Sequence, residues 1–378
     1  MKPGEKATEP DIAIIGTAGV PANYGGFETL ADQIITFAQS GEVSTRFLVY
    51  CSGGGDEMVS EYRGATLVNL PISANGIWSI IYDGVSCFHA WCRGCKTFLV
   101  LGVSGAPFLM FLRLFTRVRI ITNVDGVEWA RDKWGRLARI YLRLAEWCAV
   151  RASHCVIADN EGIANYIYLR YGIKPRVIAY GGDHAVKGEA RDRPVNTPEL
   201  YALGLCRIEP ENNVGVILQA FSESKRLPLV FVGNWMGSEY GRTLRDRFGG
   251  DPSLTLLDPI YERDALLALR SNATLFVHGH SAGGTNPSLV EAMHFGAPII
   301  CFDCVYNRYT TEGRGYFFST SDELAAVVAS LEIKEVDGGV FLNCNEGYQL
   351  REIARRRYVW RLVGSEYLNL LGIHVDFS

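Results

Sequence analysis

A chain of 378 residues is longer than one hydrophobic core ordinarily supports, so two domains of about 150 to 200 residues each are expected. With 48% hydrophobic and 21% charged residues it has an ordinary globular composition, which sets aside disordered and fibrous classes. A formal net charge of -4 and a pI near 6.0 give no general attraction to nucleic acid or anionic membrane, so any basic patch must be local.

The opening MKPGEKATEP is polar and leads into an apolar run, Asp11 to Thr17, too short for a signal-peptide core and far too short to cross a bilayer. A cytoplasmic protein is expected. Ten cysteines in such a chain read as reduced, mostly buried thiols. The CxxC pairs Cys92/Cys95 and Cys301/Cys304 fall in different expected domains, so a shared zinc site is not expected.

From Asp11 onward, short runs rich in β-branched residues alternate with helical patterns, as in βαβ units on a parallel sheet. Strands are expected at Asp11 to Thr17, Arg46 to Tyr50, Ala65 to Leu70, Thr97 to Leu101, Val118 to Thr122, His154 to Ala158 and Arg176 to Tyr180. Between the fifth and sixth, a helix places Leu137, Ile140, Tyr141, Leu144 and Cys148 on one face. The polar stretch Gly181 to Pro198 suits an interdomain linker. A second series follows at Tyr201 to Cys206, Pro228 to Gly233, Leu254 to Asp258, Ala273 to Val277 and Pro298 to Phe302. Arg355 to Leu371 has the period of a helix, with Val359, Leu362, Val363, Tyr367 and Leu370 on one face, and is expected to cross back onto the first domain. The expected fold class is α/β: two Rossmann-like doubly wound domains, 1–182 joined by the C-terminal helix 355–378, and 196–354.

Four loops carry candidate chemistry. The first strand ends in Gly16-Thr17-Ala18-Gly19, and Gly25 and Gly26 open the helix that follows. Glycines there let backbone N–H groups approach a phosphate, or serve only a tight turn. The loop lacks the GxGxxG pattern, which argues against a nicotinamide-dependent oxidoreductase. Asp125 and Glu128, just beyond the strand Val118 to Thr122, are candidates for acceptor hydroxyls or, alternatively, helix caps. Arg207, with Glu209 and Asn212 in RIEPENN, stands where a guanidinium fork can hold a diphosphate or pair with its own glutamates.

The densest signal is His278 to Met293, HGHSAGGTNPSLVEAM. Here a strand runs through Gly283, Gly284 and Thr285 into a helix near Asn286, whose first N–H groups would face phosphate oxygens, with Glu291 one turn further on. Ile260 and Tyr261 are placed to pack on a nucleobase. No Asp-x-Asp pair occurs anywhere in the chain, and His278 and His280 lack an obvious third ligand. No metal and no other cofactor is expected, so charge on a departing diphosphate falls to backbone dipoles and arginine.

On IGTAGVPANYGGFET, DGVEWARDKW, RIEPENN and HGHSAGGTNPSLVEAM, the chain resembles retaining glycosyltransferases of family 4 with the GT-B fold, and their bacterial rhamnosyltransferase-like branch. The family's first glutamate falls here on Gly283, its His-Gly on Asp125-Gly126, and its lysine after the arginine on Asn212. The resemblance implies two facing domains with a cleft between them, acceptor on the first and nucleotide sugar on the second. It further implies a dTDP-L-rhamnose donor, a lipid-diphosphate-linked saccharide acceptor, and front-face attack without a dedicated protein base. Arg207 and the turn near Asn286 then stabilise the diphosphate, Glu291 holds the ribose, Asp125 and Glu128 orient the acceptor, and Gly25 and Gly26 let the first domain close on the phosphates. A lipid-linked acceptor calls for peripheral membrane contact, for which Ala106 to Arg119, apolar with Arg113, Arg117 and Arg119, is the expected segment unless its apolar residues are core. Alternatives are another nucleotide sugar such as UDP-glucose, a sugar-nucleotide epimerase, or a non-catalytic sugar-nucleotide-binding protein.

Overall fold

The computed structural model describes residues 11–374 except 23–24, 42–44, 54–59, 132–133, 190–191, 195–196, 332, 337–338 and 343–344, with only the backbone of the strands at 333–342. Residues 375–378 of the expected last helix and Lys133 of DGVEWARDKW lie outside them. The chain divides into two compact units, Met1–Ala179 with Arg361–Ser378, and Tyr180–Trp360.

The first unit is built on β1 (Ile12–Ile15), β2 (Phe47–Ser52), β3 (Glu61–Tyr62), β4 (Ala65–Leu70), β5 (Thr97–Leu101), β6 (Arg119–Asn123), β7 (Cys155–Ala158) and β8 (Arg176–Val177). Their order across the sheet is β3-β4-β2-β1-β5-β6-β7-β8, parallel except that β3 runs antiparallel to β4. β1, β2 and β5 are buried along almost their whole length, because helices cover both faces, so they read as unbroken apolar runs. The helices are α1 (Gly26–Ser40), α2 (Trp78–Cys92), α3 (Ala106–Phe115), α4 (Arg136–Ala152) and α5 (Glu161–Tyr171). The chain leaves β1 toward β2, then crosses back from β4 to β5 on the other side of β1. Right-handed crossovers therefore place α1 on one face and α2 to α5 on the other.

The second unit repeats the plan with β9 (Ala202–Leu205), β10 (Leu229–Val232), β11 (Leu254–Leu257), β12 (Leu275–His278), β13 (Ile299–Phe302) and β14 (Tyr316–Phe318), all parallel, in the order β11-β10-β9-β12-β13-β14. Around them lie α6 (Val214–Ser224), α7 (Glu239–Phe248), α8 (Arg263–Ser271), α9 (Pro287–Met293), α10 (Val305–Thr310) and α11 (Ser321–Ser330). An antiparallel pair, β15 (Ile333–Val336) and β16 (Gly339–Leu342), and then α12 (Glu346–Arg357) follow. Phe231 and Trp235 pack ring to ring at 5.6 Å inside the core, and the buried indole N–H donates to the Leu257 carbonyl at 2.8 Å. The two parallel Rossmann-like sheets are those expected from the alternating pattern.

Two local readings need correction, and a third gains detail. The segment Arg355 to Leu371 is not one helix: α12 stops at Arg357 and α13 (Trp360–Leu370) starts afresh. The break is held by the Tyr358 carbonyl, which faces the Gly182 N–H at 2.7 Å and His294 Nε2 at 3.0 Å, while Asp183 accepts the Trp360 N–H at 2.7 Å. Those partners also show that Gly181 to Pro198 is not merely a linker, since its first residues form a short 3-10 turn, Asp183–Val186, fixed within the second unit. On α4, Leu137, Ile140 and Leu144 are exposed, and the buried face carries Leu142, Ala145, Glu146, Cys148 and Ala149. Small residues let the helix lie close, and the buried Glu146 is satisfied by the hydroxyls of Tyr166 and Tyr171. Periodicity finds the helix and its large apolar face, and burial shows that most of that face points outward.

Candidate functional site

In the second unit the strand order reverses between the neighbours β9 and β12, and the loops leaving their carboxyl ends part to opposite faces. Such a reversal is where open α/β sheets bind ligands. The loops are Cys206–Asn213 and Gly279–Asn286, and they are sewn together. Glu211 O accepts from the Ser281 amide at 3.1 Å and its hydroxyl at 2.8 Å, while Asn213 Nδ2 donates to Gly279 O at 2.8 Å. A Cβ on Gly279 would stand 2.2 Å from Asn212 O, so only glycine permits this approach.

Of the expected donor residues, Arg207 is about half exposed and pairs only loosely with Glu209, at 3.8 Å. Glu209 has one buried carboxylate oxygen, Oε2, with no hydrogen-bond partner among the described residues. Asn212 is buried and donates to Arg207 O at 2.7 Å, which makes it a shaper of the loop. Gly283 takes φ 101°, a region open to glycine; Gly284 lies beside it and Thr285 is buried. The opening of α9 differs from expectation: Pro287 has no N–H, the Ser288 amide is held by Asn286 Oδ1 at 3.1 Å, and the Leu289 amide by Asn286 O at 3.1 Å. Donors toward a phosphate must therefore come from the turn before the helix, beside Arg207's loop. Ile260 is partly buried and Tyr261 is 69% exposed, both on the loop leaving β11, two strands from β9.

Burial pushes the His278 imidazole down to about 3, so it is neutral; it stacks on His280 with centroids 4.5 Å apart. Among the described residues no three His, Cys, Asp or Glu side chains gather as a metal site.

Glu291 is engaged more tightly than its sequence position suggested. Arg270 on α8 pairs with one carboxylate oxygen, and His184 Nε2 lies 3.2 Å from the other. Trp360 Nε1, which can only donate, points at His184 Nδ1 at 2.9 Å. The imidazole proton therefore sits on Nε2 and is donated to Glu291. Burial raises the Glu291 carboxyl, but Arg270 and His184 outweigh it and hold the group below its ordinary value. His184 and Arg270 were missed from the sequence; His184 lay in an expected linker, and neither contact is local.

In the first unit Asp125 and Glu128 follow β6, two strands from β1. Asp125 adopts φ 56° and its amide donates to Asn123 Oδ1 at 2.9 Å, while Asn123 Nδ2 donates to Tyr367 OH at 2.8 Å. The carboxylate of Glu128 is already occupied, by Arg131 at 2.9 Å and by the Trp134 indole N–H at 2.9 Å. At the β1 turn, Glu28 accepts from the Ala18 amide at 2.7 Å and from the Thr17 hydroxyl at 3.2 Å. A Cβ on Gly25 would lie 1.9 Å from that carboxylate, so the structure supplies an internal reason for glycine there; Gly26 begins α1, and Asn23 and Tyr24 lie outside the described residues.

Comparison with known proteins divides the chain similarly. Residues 9–183 match a domain of unknown function, DUF1972, and residues 188–337 match the family described as glycosyl transferases group 1. No curated protein matches. Among solved structures, sucrose-phosphate synthase from Thermosynechococcus elongatus superposes with a TM-score of 0.75 at 16% identity, covering 96% of this chain and 98% of that one. Anabaena HepE in complex with UDP and glucose gives 0.70 at 14%, covering 96% and 99%, and trehalose-6-phosphate synthase OtsA gives 0.69 at 9%, covering 96% and 99%. No helix of the described residues is long and apolar enough to cross a membrane. The chain therefore has the GT-B fold, and its residues 188–337 are similar to the glycosyl transferases group 1 family.

Proposed function

We propose that the protein is a retaining, metal-independent glycosyltransferase that moves L-rhamnose from dTDP-L-rhamnose onto a lipid-diphosphate-linked saccharide in surface polysaccharide synthesis. The observation that carries the transferase reading is the pair of hydrogen-bonded loops at the β9/β12 reversal, with Arg207 on one and the Gly283-Gly284 turn on the other. A guanidinium and turn amides at two neighbouring strand ends suit a diphosphate whose charge grows as the glycosidic bond breaks. Glu291, ionised and fixed by Arg270 and His184, is the acceptor for ribose hydroxyls, and Asp125 contacts the saccharide acceptor. Glu128, held by Arg131 and Trp134, acts as a positioning residue for that loop. HepE binds UDP in its solved complex, which supports a nucleotide sugar as the donor class; rhamnose rests on the sequence resemblance.

A thermal-shift panel of dTDP-L-rhamnose, UDP-glucose, UDP-N-acetylglucosamine and GDP-mannose, followed by turnover with a lipid-linked acceptor in EDTA, tests the proposal. The melting temperature should rise most with dTDP-L-rhamnose, because a ligand that binds only the native state stabilises it. A rise with UDP-glucose alone would reassign the donor. Binding without any turnover would leave a sugar-nucleotide-binding protein.

A further inference from the structure

The outer layer formed by α2, α3 and α4 exposes large apolar side chains that a lone globular unit would bury. Trp78 and Phe88 stand out on α2, Leu114 and Phe115 on α3, Leu137 and Ile140 on α4. Leu114 and Phe115 are each 70% exposed and Leu137 is 83% exposed, on helices that the crossover rule places side by side on one face of the sheet. Between α2 and α3 opens a groove of about 490 Å³, floored by Gly84 and Gly105 and walled by Ile81, Phe108 and Phe111. Contiguous apolar surface of this kind marks an interaction site.

Its charge says what the partner is. The three helices contain only two acidic residues, Asp83 and Glu146, and both are buried. The exposed ions on and beside this layer include Arg113, Arg117, Arg136 and Arg143. A second copy packed on this face by two-fold symmetry would set arginine against arginine with no exposed carboxylate on these three helices to answer it. An anionic bilayer complements both properties, taking the apolar side chains at the acyl boundary and the arginines at the headgroups.

We infer that the α2–α3–α4 face is a membrane-docking surface that seats on anionic phospholipid, with the groove between α2 and α3 receiving an acyl chain. This rests on and deepens the lipid-acceptor part of the proposed function, and it extends the contact beyond Ala106 to Arg119. Within Ala106 to Arg119, Leu109 and Leu112 are core residues, whereas most of the docking surface lies on α2 and α4.

The test is flotation of the full chain with vesicles of phosphatidylglycerol and phosphatidylethanolamine, against vesicles of phosphatidylcholine. The parent should float with the anionic vesicles, and Phe115→Ser/Leu137→Ser should lower its partition by at least about tenfold, since each large side chain removed from the acyl boundary is worth more than that factor alone. Arg117→Gln/Arg136→Gln should lose binding to anionic vesicles in proportion to their charge. All four positions are exposed, and melting curves that match the parent show that the variants are folded. In the parent, tryptophan fluorescence should be quenched by brominated acyl chains, a readout that needs no variant. Absent flotation and quenching, or a parent dimer in light scattering that Phe115→Ser/Leu137→Ser dissociates, would overturn the inference. Donor-induced thermal shifts measured on the same variants separate its failure from failure of the transferase reading.

Discussion

Replacing Arg270 by alanine should destabilise the second unit strongly, and more so at neutral than at acidic pH. The Arg270 and Glu291 side chains are 11% and 13% exposed, so solvent screens the pair little. Removing one partner of a buried pair leaves an uncompensated charge and costs about 3–5 kcal/mol. For a unit of this size each kcal/mol shifts melting by roughly 2–4 °C, so a loss of roughly 6–20 °C is expected. The pH sense follows from linkage. In the parent, Glu291 is held below 4.5, so its contribution is complete above 4.5 and is lost only as pH falls through the depressed value. In Arg270→Ala burial dominates, the carboxyl rises above 4.5, and its charge penalises the fold at pH 7.5 but is relieved by protonation toward pH 4.5. Melting curves at pH 7.5 and 5.0 should therefore show a gap from the parent that narrows on acidification. Unchanged melting at pH 7.5, or a gap of equal size at both values, would show that Arg270 does not offset a buried Glu291 charge.

Asp83 offers a second pH test: burial pushes its carboxyl up to about 7, partly offset by the Gly105 N–H at 3.1 Å. The native state then holds a proton that the unfolded chain loses near pH 4, so this group lowers stability as pH rises toward 7, by about 4 kcal/mol at most. Asp83→Asn should flatten the dependence of melting temperature between pH 5 and 8, and an unaltered slope would contradict it. Gly279→Ala should force the two site loops apart, weakening nucleotide binding at least about tenfold by calorimetry with a loss of about 1–3 kcal/mol in stability. Tyr367→Phe removes the hydroxyl that accepts from Asn123 and should cost about 1–2 kcal/mol in urea unfolding. Glu128→Gln should lower kcat with little change in donor affinity if the Asp125 loop serves the acceptor; altered donor affinity would oppose that role.

The strands of both sheets were legible because parallel sheets covered on both faces demand unbroken runs such as Ile12–Ile15 and Leu229–Val232. Edge elements were not: Glu61–Tyr62 is too short to carry a pattern, and Tyr316–Phe318 is bounded by turns. The glycine-rich loops were visible as strand-to-helix turns, yet their mutual hydrogen bonds join residues about seventy positions apart and leave no local trace. His184 and Arg270 escaped for the same reason. The outward apolar face of α4 was visible in the periodicity, but a docking face and a core face have one period, and only burial separates them.

Under the proposed function, Arg207 and the turn amides of the glycine loop neutralise the diphosphate without a divalent cation. Calorimetric titration of dTDP into the parent and Arg207→Ala, each in EDTA, measures it directly. The parent should bind in EDTA and the variant at least about tenfold more weakly, as loss of a charge-assisted pair requires. Equal affinities would show that Arg207 does not hold the diphosphate, and parent binding that appears only when magnesium is restored would show that a cation does.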